Sequence, residues 1–453
     1  MTGSRFLFVV PPLVGHVNPA VGVAAELVAR GHVVAWAGVP ELIGRLAGPD
    51  AEVFPCALPS ATPTPTPGPT PTPGPGETVR RPPELRGPAA LKFLWAEFLI
   101  PLAEAMAPGV RAAVERFRPD VLVVDQQAVA GALVAEQLGL PWATSATTSA
   151  EFTGALDAMP LVESWVAGLL AELRKSIGDP AGSADPRFSP HLILAFTTPE
   201  LAGQVAEPTG PIRFVGPALA NRPAEPPFPW EWLDPARALV LVTLGTANGD
   251  AGGAFLTVCQ EAARARAERV QAVVVDPGGV LGVPGPDPAP YPALGPAPAP
   301  GPYLYPDPDV LVLPSVPQLR LLERASAVVC HAGHNTVCEA LWHGVPLVVA
   351  PIRDDQPVVA AQVVAAGAGL RVRFGRTSAD HLGQALDALL DDPTHQAGAR
   401  RIGVSFRTAG GAARAASHLE ELTGKEPTGE EPTGEEPTGE EPTGEELTDR
   451  SDR

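Results

Sequence analysis

Short apolar runs, each followed by a helix-like stretch, set the strongest limit on what this chain can fold into. Residues 6–10 (FLFVV) are continuously apolar, as a strand buried on both faces requires. A Pro/Gly loop follows, then a helix from about Asn18 to Arg30 that Gly31 closes. Strands are expected at 32–37, 51–54, 120–125 (DVLVVD) and 141–146, with helices over 89–117 and from about Ala128. Residues 217–236 (PALANRPAEPPFPWEWLDPA) read as a linker, after which the alternation restarts. Strands are expected at 239–244, 270–275 and near 310–313, 326–330, 346–350 and 370–373, and helices at 254–268, 378–391 and 394–422. Repeated βα units imply an α/β chain with two doubly wound parallel sheets. The expected division is 1–216, linker 217–236, 237–423 and tail 424–453, with the final helix packing back on the first domain. A ligand then belongs in the cleft between the domains, outside the carboxyl ends of the strands.

Composition narrows the partners. The formal charge is −19, which argues against electrostatic capture of nucleic acid or of an anionic membrane surface. Part of that charge is local: the tail repeats EPTGE four times and carries eleven acids against three bases. The 56 prolines are more than twice the usual share of about one in twenty. Many of them sit in the tail and in two tracts, 59–76 and 283–308. The tail is expected to be disordered, the tracts to be stiff polyproline-like loops. Four scattered cysteines give neither a disulfide framework nor a zinc spacing, so a reducing cytoplasm is the expected compartment. Prolines and glycines interrupt the apolar stretch 5–28 at under ten residues, where a membrane span needs about twenty. No membrane insertion is expected.

The richest loop follows the strand ending at Cys330: His331-Ala332-Gly333-His334-Asn335-Thr336-Val337-Cys338-Glu339. A helix beginning near Asn335 points unpaired N–H groups and the positive end of its dipole at whatever sits there, a place for phosphate. His331 adds a donor, and Glu339 one turn further in can accept from ribose hydroxyls. On the loop alone an equal alternative is that Asn335 and Thr336 merely cap the helix and His331 is a core residue. His16 is a lone loop histidine, usually just a polar residue; only the resemblance carried by VPPLVGHVNP makes it the candidate base. An acceptor hydroxyl is a poor nucleophile until deprotonated, and a neutral imidazole of pKa near 6.5 suits that task. It is expected on the loop after the first strand.

The segment 330–357 (CHAGHNTVCEALWHGVPLVVAPIRDDQP), with VLPSVPQLRLL at 312–322 before it and VPPLVGHVNP at 10–19, resembles the UDP-glycosyltransferase superfamily of GT-B fold. It is most similar to the actinobacterial, macrolide-type branch acting on natural products. The donor signature is carried by Pro317-Gln318, His331, Glu339, Gly344-Val345-Pro346 and Asp355-Gln356. The resemblance implies that His331, Gly333, Asn335 and Thr336 hold a diphosphate and Glu339 a ribose, while Asp355 and Gln356 bond the sugar hydroxyls. Asp355 is preferred over Asp354 because it adjoins Gln356. Gly245 and Thr246 match a turn that approaches phosphate, although Thr246 can equally be a helix cap. Where family members stack uracil on a Trp two residues before the Pro of Pro-Gln, this chain has Ser315, which leaves UDP and dTDP open. Asp125 stands where the family places the carboxylate partner of His16.

The implied activity is an inverting, metal-independent glycosyl transfer from a nucleotide-diphosphate sugar to a hydroxyl of a small, largely apolar acceptor. The acceptor is expected to be a secondary metabolite, its site in the N-terminal domain walled by 59–76 and 89–117. The nucleotide sugar is a co-substrate, and no cofactor is expected. Asp307-Pro308-Asp309 spells a metal-binding DxD but lies in a proline tract, so it is read as structural. The alternatives are a nucleotide-sugar epimerase of the same fold and a non-catalytic nucleotide-sugar-binding accessory.

Overall fold

A computed structural model describes residues 3–59, 85, 87–154, 159–203, 205, 210–220, 226–245, 252–282 and 307–424. The tail from 425 and nearly all of both proline tracts, with the readings made of them, lie outside the described residues.

Among the described residues the N-terminal sheet has seven strands: β1 (Arg5–Val9), β2 (Val33–Gly38), β3 (Val53–Pro55), β4 (Val121–Asp125), β5 (Trp142–Ala146), β6 (Ile193–Ala195) and β7 (Ile212–Phe214). Their spatial order is β3-β2-β1-β4-β5-β6-β7, all parallel. Its helices are α1 (Val14–Ala29), α2 (Pro40–Ala47), α3 (Gly87–Lys92), α4 (Ile100–Phe117), α5 (Ala130–Leu138), α6 (Pro160–Ile177) and α7 (Pro199–Ala202). Alternation along β4 sends Leu122 and Val124 into the core under α4–α6, and Val121 and Val123 into the core under α1. The 89–117 helix is longer and less regular than expected. α3 runs through a π-helical turn, Phe93–Leu99, directly into α4. By length and composition alone Gly87–Phe117 is apolar enough to cross a membrane. Here Leu99, Leu102, Met106, Val110 and Phe117 fill the domain core.

Among the described residues the C-terminal sheet has six strands, β8 (Ala238–Thr243), β9 (Val270–Val275), β10 (Val310–Leu313), β11 (Ala325–Cys330), β12 (Leu347–Val349) and β13 (Gly369–Arg371), in the parallel order β10-β9-β8-β11-β12-β13. Around it lie α8 (Gly253–Arg264), α9 (Gln318–Leu322), α10 (His334–Trp342), α11 (Gln356–Ala365), α12 (Ala379–Asp391), α13 (Pro393–Thr408) and α14 (Gly411–Leu422). Both sheets are central parallel layers with a hydrophobic core on each face. Helix α14 leaves this domain: Ala415, Ala416 and Leu419 pack with Val17, Val21 and Leu27 of α1. All four cysteines are buried free thiols.

The DxD residues are engaged in the fold. Asp307 accepts from the backbone N–H groups of Asp309 and Val310 and pairs with Arg264 at 2.9 Å, while Asp309 pairs with Arg237 at 2.7 Å. They anchor the start of β10.

Candidate active site

His16 is in the first turn of α1 and not on a loop, which corrects the sequence expectation. Helix α1 starts at Val14 despite Pro19, whose missing N–H leaves the Gly15 carbonyl without its helical partner. Asn335, from the other domain, donates its amide to that carbonyl at 2.7 Å. The helix can therefore begin early and carry His16 to the carboxyl end of the sheet.

Asp125 ends β4 next to β1 and is fully buried. Both of its oxygens lie 3.0 Å from His16 Nδ1. Asp125 also accepts from the Gln127 backbone N–H at 2.8 Å and from the Thr147 hydroxyl at 3.0 Å. A carboxylate only accepts, so the proton sits on Nδ1 and Nε2 keeps its lone pair. Burial by itself lowers the His16 pKa. The Asp125 charge and hydrogen bond, helped by Asp355 and Glu151, outweigh it and hold the imidazole above its ordinary 6.5.

Across the cleft, His331 follows β11 with its ring between two glycines. A Cβ on Gly333 would fall 2.4 Å from His331 Nε2, and one on Gly245 2.8 Å from Cε1. Gly245 has φ +69° and Ala332 φ 66°, so this turn is tight on both sides. Burial, reinforced by the Arg353 cation and opposed by a hydrogen bond with the Thr243 backbone, pushes His331 down to about 4. It is neutral at physiological pH. Replacing Gly333 by Ala should displace His331 and raise the KM for the donor roughly tenfold or more, at the 1–3 kcal/mol typical of overpacking. Unchanged steady-state donor kinetics would show that the ring is not needed where it stands.

The remaining sequence candidates fall into two groups. Gln318, following Pro317 at the start of α9, donates to Glu339 of α10 at 2.5 Å, and Glu339 is almost wholly buried. Thr336 is buried on the same helix, whose N-cap is Gly333. The Asn335 amide is committed to α1, not free beside the turn. The second group is the loop entering α11. Asp355 accepts from Thr148 of the N-terminal domain at 2.6 Å, and burial raises its pKa, with Asp354 adding and Thr148 and His16 opposing. The Gln356 carbonyl oxygen accepts from Ile352 and Arg353 backbone N–H groups at 2.9 and 3.0 Å. It shapes the loop, so only the Gln356 amide nitrogen is left to reach a ligand. Thr246 lies outside the described residues.

Sequence reading missed the loop after β5. Thr147 touches the His16–Asp125 pair, Thr148 reaches Asp355, and Ser149 donates to Gln362 of α11 at 2.8 Å. The run ATTSAE at the end of a buried strand was the available signal. Among the described residues, no three His, Cys, Asp or Glu side chains gather as a metal site.

Comparison with known proteins agrees with the two-sheet architecture. Residues 305–422 match the family model of the C-terminal domain of erythromycin biosynthesis protein CIII-like proteins, EryCIII-like. The 4'-demethylrebeccamycin synthase of Lentzea aerocolonigenes is 28% identical over 431 residues, which span 88% of this chain and 95% of that protein. The uncharacterized UDP-glucosyltransferase YojK of Bacillus subtilis (strain 168) is 39% identical over only 111 residues, 24% of this chain and 27% of the relative. The solved glycotransferase of kitacinnamycin superposes with a TM-score of 0.70 at 26% identity, covering 93% of this chain and 99% of that one. The likeness runs through both sheets: the chain has the two parallel-sheet domains of GT-B glycosyltransferases, its second domain is EryCIII-like, and its relatives include glycosyltransferases of antibiotic and natural-product biosynthesis.

Proposed function

We propose that the chain transfers a sugar, with inversion and without a metal ion, from a UDP- or dTDP-sugar to a hydroxyl of a small, largely apolar natural product. The observation that carries this reading is the His16–Asp125 pair, with Nδ1 held by the carboxylate and Nε2 left to accept a proton. The acceptor occupies the N-terminal domain and gives its hydroxyl proton to Nε2 as its oxygen attacks the anomeric carbon. Asp125 fixes the tautomer and stabilises the imidazolium that forms. The leaving diphosphate is held by the first N–H groups of α10 and by His331, while Asp355, with the Gln356 amide nitrogen, bonds the sugar hydroxyls. Glu339 holds the ribose, with Pro317 and Gln318 placing it, and the Gly245–Thr246 turn approaches the phosphates. Direct displacement inverts the anomeric centre. The DxD carboxylates support this reading, because Arg264 and Arg237 engage them.

A nucleotide-sugar panel with a phenolic acceptor tests it. The expected product, by mass spectrometry and proton NMR, is a glycoside of inverted anomeric configuration, formed at the same rate with and without EDTA. Retained configuration, an EDTA-sensitive rate, or epimerised sugar without an acceptor product would contradict it.

A further inference from the structure

The first turn of α1, which carries His16, is completed by a side chain from the other domain. Val17 donates its backbone N–H to the Leu13 carbonyl at 3.1 Å and opens the helical ladder. Two residues on, the ladder has a gap. Pro19 offers the Gly15 carbonyl no N–H, and a proline ring crowds the carbonyl four residues before it. The Asn335 amide fills the gap at 2.7 Å. A Cβ on Gly15 would meet Asn335 Nδ2 at 3.6 Å, so the amide lies directly against the turn.

Asn335 is itself held in place. It is the second residue of α10, and its neighbours on that helix also meet the N-terminal domain. His334 Nε2 lies 3.4 Å from the Phe196 carbonyl, and the Cys338 thiol donates to the same carbonyl at 3.9 Å. Pro19, Phe196, Asn335 and Cys338 line one small cavity between the domains. Helix α10 therefore reaches α1 from a fixed seat. His16 has two supports as a result: Asp125 and Thr147 hold its ring, and Asn335 holds the backbone turn beneath it. Together they set where Nε2 points.

We propose that Asn335 is a positioning residue for the base: it supplies the hydrogen bond that Pro19 cannot, and so makes the aim of His16 depend on contact between the two domains. The proposal rests on reading His16 as the general base. It gives Asn335 a different task from the one the sequence implies, where it holds a diphosphate. Asn335 acts on turnover, and donor binding is left to the backbone N–H groups of α10 and to His331. One helix then serves both halves of the reaction, with its N–H groups at the leaving group and its Asn335 amide under the base. His16 is aimed only while α10 is seated against α1.

Substitution at both ends of the bond tests this on the full chain, because Pro19→Ala returns a backbone N–H to the place where the Gly15 carbonyl needs one. The rate is read in single turnover, with the nucleotide sugar and phenolic acceptor selected by the panel. Asn335→Ala should lower it about tenfold to a hundredfold, since a displacement of about 1 Å can cost a hundredfold. Affinity for UDP and dTDP, by calorimetry, should stay within about twofold. Pro19→Ala alone should change the rate by less than about twofold, and the double variant should recover to within about threefold of wild type, a non-additivity expected only of coupled sites. Should Asn335→Ala fail to fold, Asn335→Ser, too short to reach Gly15, should show the same loss and the same recovery. An unchanged rate, a loss confined to nucleotide affinity, or a loss that Pro19→Ala does not restore would overturn the proposal. His16→Ala in the same assay tells the two readings apart. A surviving rate there refutes the base assignment; a collapsed rate there, with Asn335→Ala at full rate, refutes the positioning role alone.

Discussion

His16→Ala should lower kcat for transfer to an alcohol by about 10²–10⁴, the usual range for loss of a general base, while donor affinity stays within about twofold. The physical basis is the division of labour across the cleft. His16 belongs to α1, whereas the diphosphate and sugar contacts assigned here come from α10, α11 and the loops before them. The imidazole touches Asp125 and Thr147, and the deletion leaves Asp125 buried with the Gln127 N–H and the Thr147 hydroxyl still bound. Binding should survive because the donor platform is untouched, and chemistry should fail because no other base replaces Nε2. Single-turnover transfer with calorimetry of the donor separates the two quantities. An equal loss of binding and rate would make His16 a structural residue at the domain contact.

Glu420→Ala should cost about 3 kcal/mol or more, the order seen when one partner of a buried ion pair is removed. For a domain of this size that is a fall in Tm of roughly 6–12 °C. Glu420, nearly fully buried on α14, accepts from His32 Nε2 at 2.7 Å and pairs with Arg30 at 2.8 Å. Ser4 donates its backbone N–H to His32 Nδ1 at 3.0 Å, so Nε2 must carry the proton and needs an acceptor. Arg30 further donates to the Ala413 carbonyl and Ser417 hydroxyl of the same helix. The cluster therefore clasps α14 to the first domain, and Glu420→Gln, which keeps an acceptor, should lose much less. Calorimetric melting of the two variants checks this; equal melting of Ala and wild type would show that apolar packing of α14 suffices.

What the sequence could disclose follows from which forces are local. The buried parallel strands were legible because burial on both faces makes them continuous apolar runs, and Asp125 and His331 could be placed at strand ends for that reason. The strands Ile193–Ala195 and Ile212–Phe214 were missed, being three residues long in mixed surroundings. The start of α1 was misplaced because Gly15 and Pro19 lower local helix propensity, while the compensating Asn335 bond comes from 320 residues away. Thr147 was missed for a similar reason, since its contact with His16 spans 131 residues. The donor motif was legible as a motif, but not the internal commitments of the Gln356 carbonyl, the Asn335 amide and Glu339. Those are tertiary facts.

The central claim, that His16 held by Asp125 removes the acceptor proton, is tested most directly by the pH dependence of kcat/KM. Only the unprotonated imidazole can act, so the rate should rise with pH through an acid limb lying above 6.5, where Asp125, Asp355 and Glu151 hold the His16 pKa against burial. Asp125→Asn removes the largest of those raising influences and leaves burial in place, so the limb should move to lower pH while kcat falls about a hundredfold or more. A limb below 6.5 in wild type, or one that stays where it is in Asp125→Asn, would contradict the account.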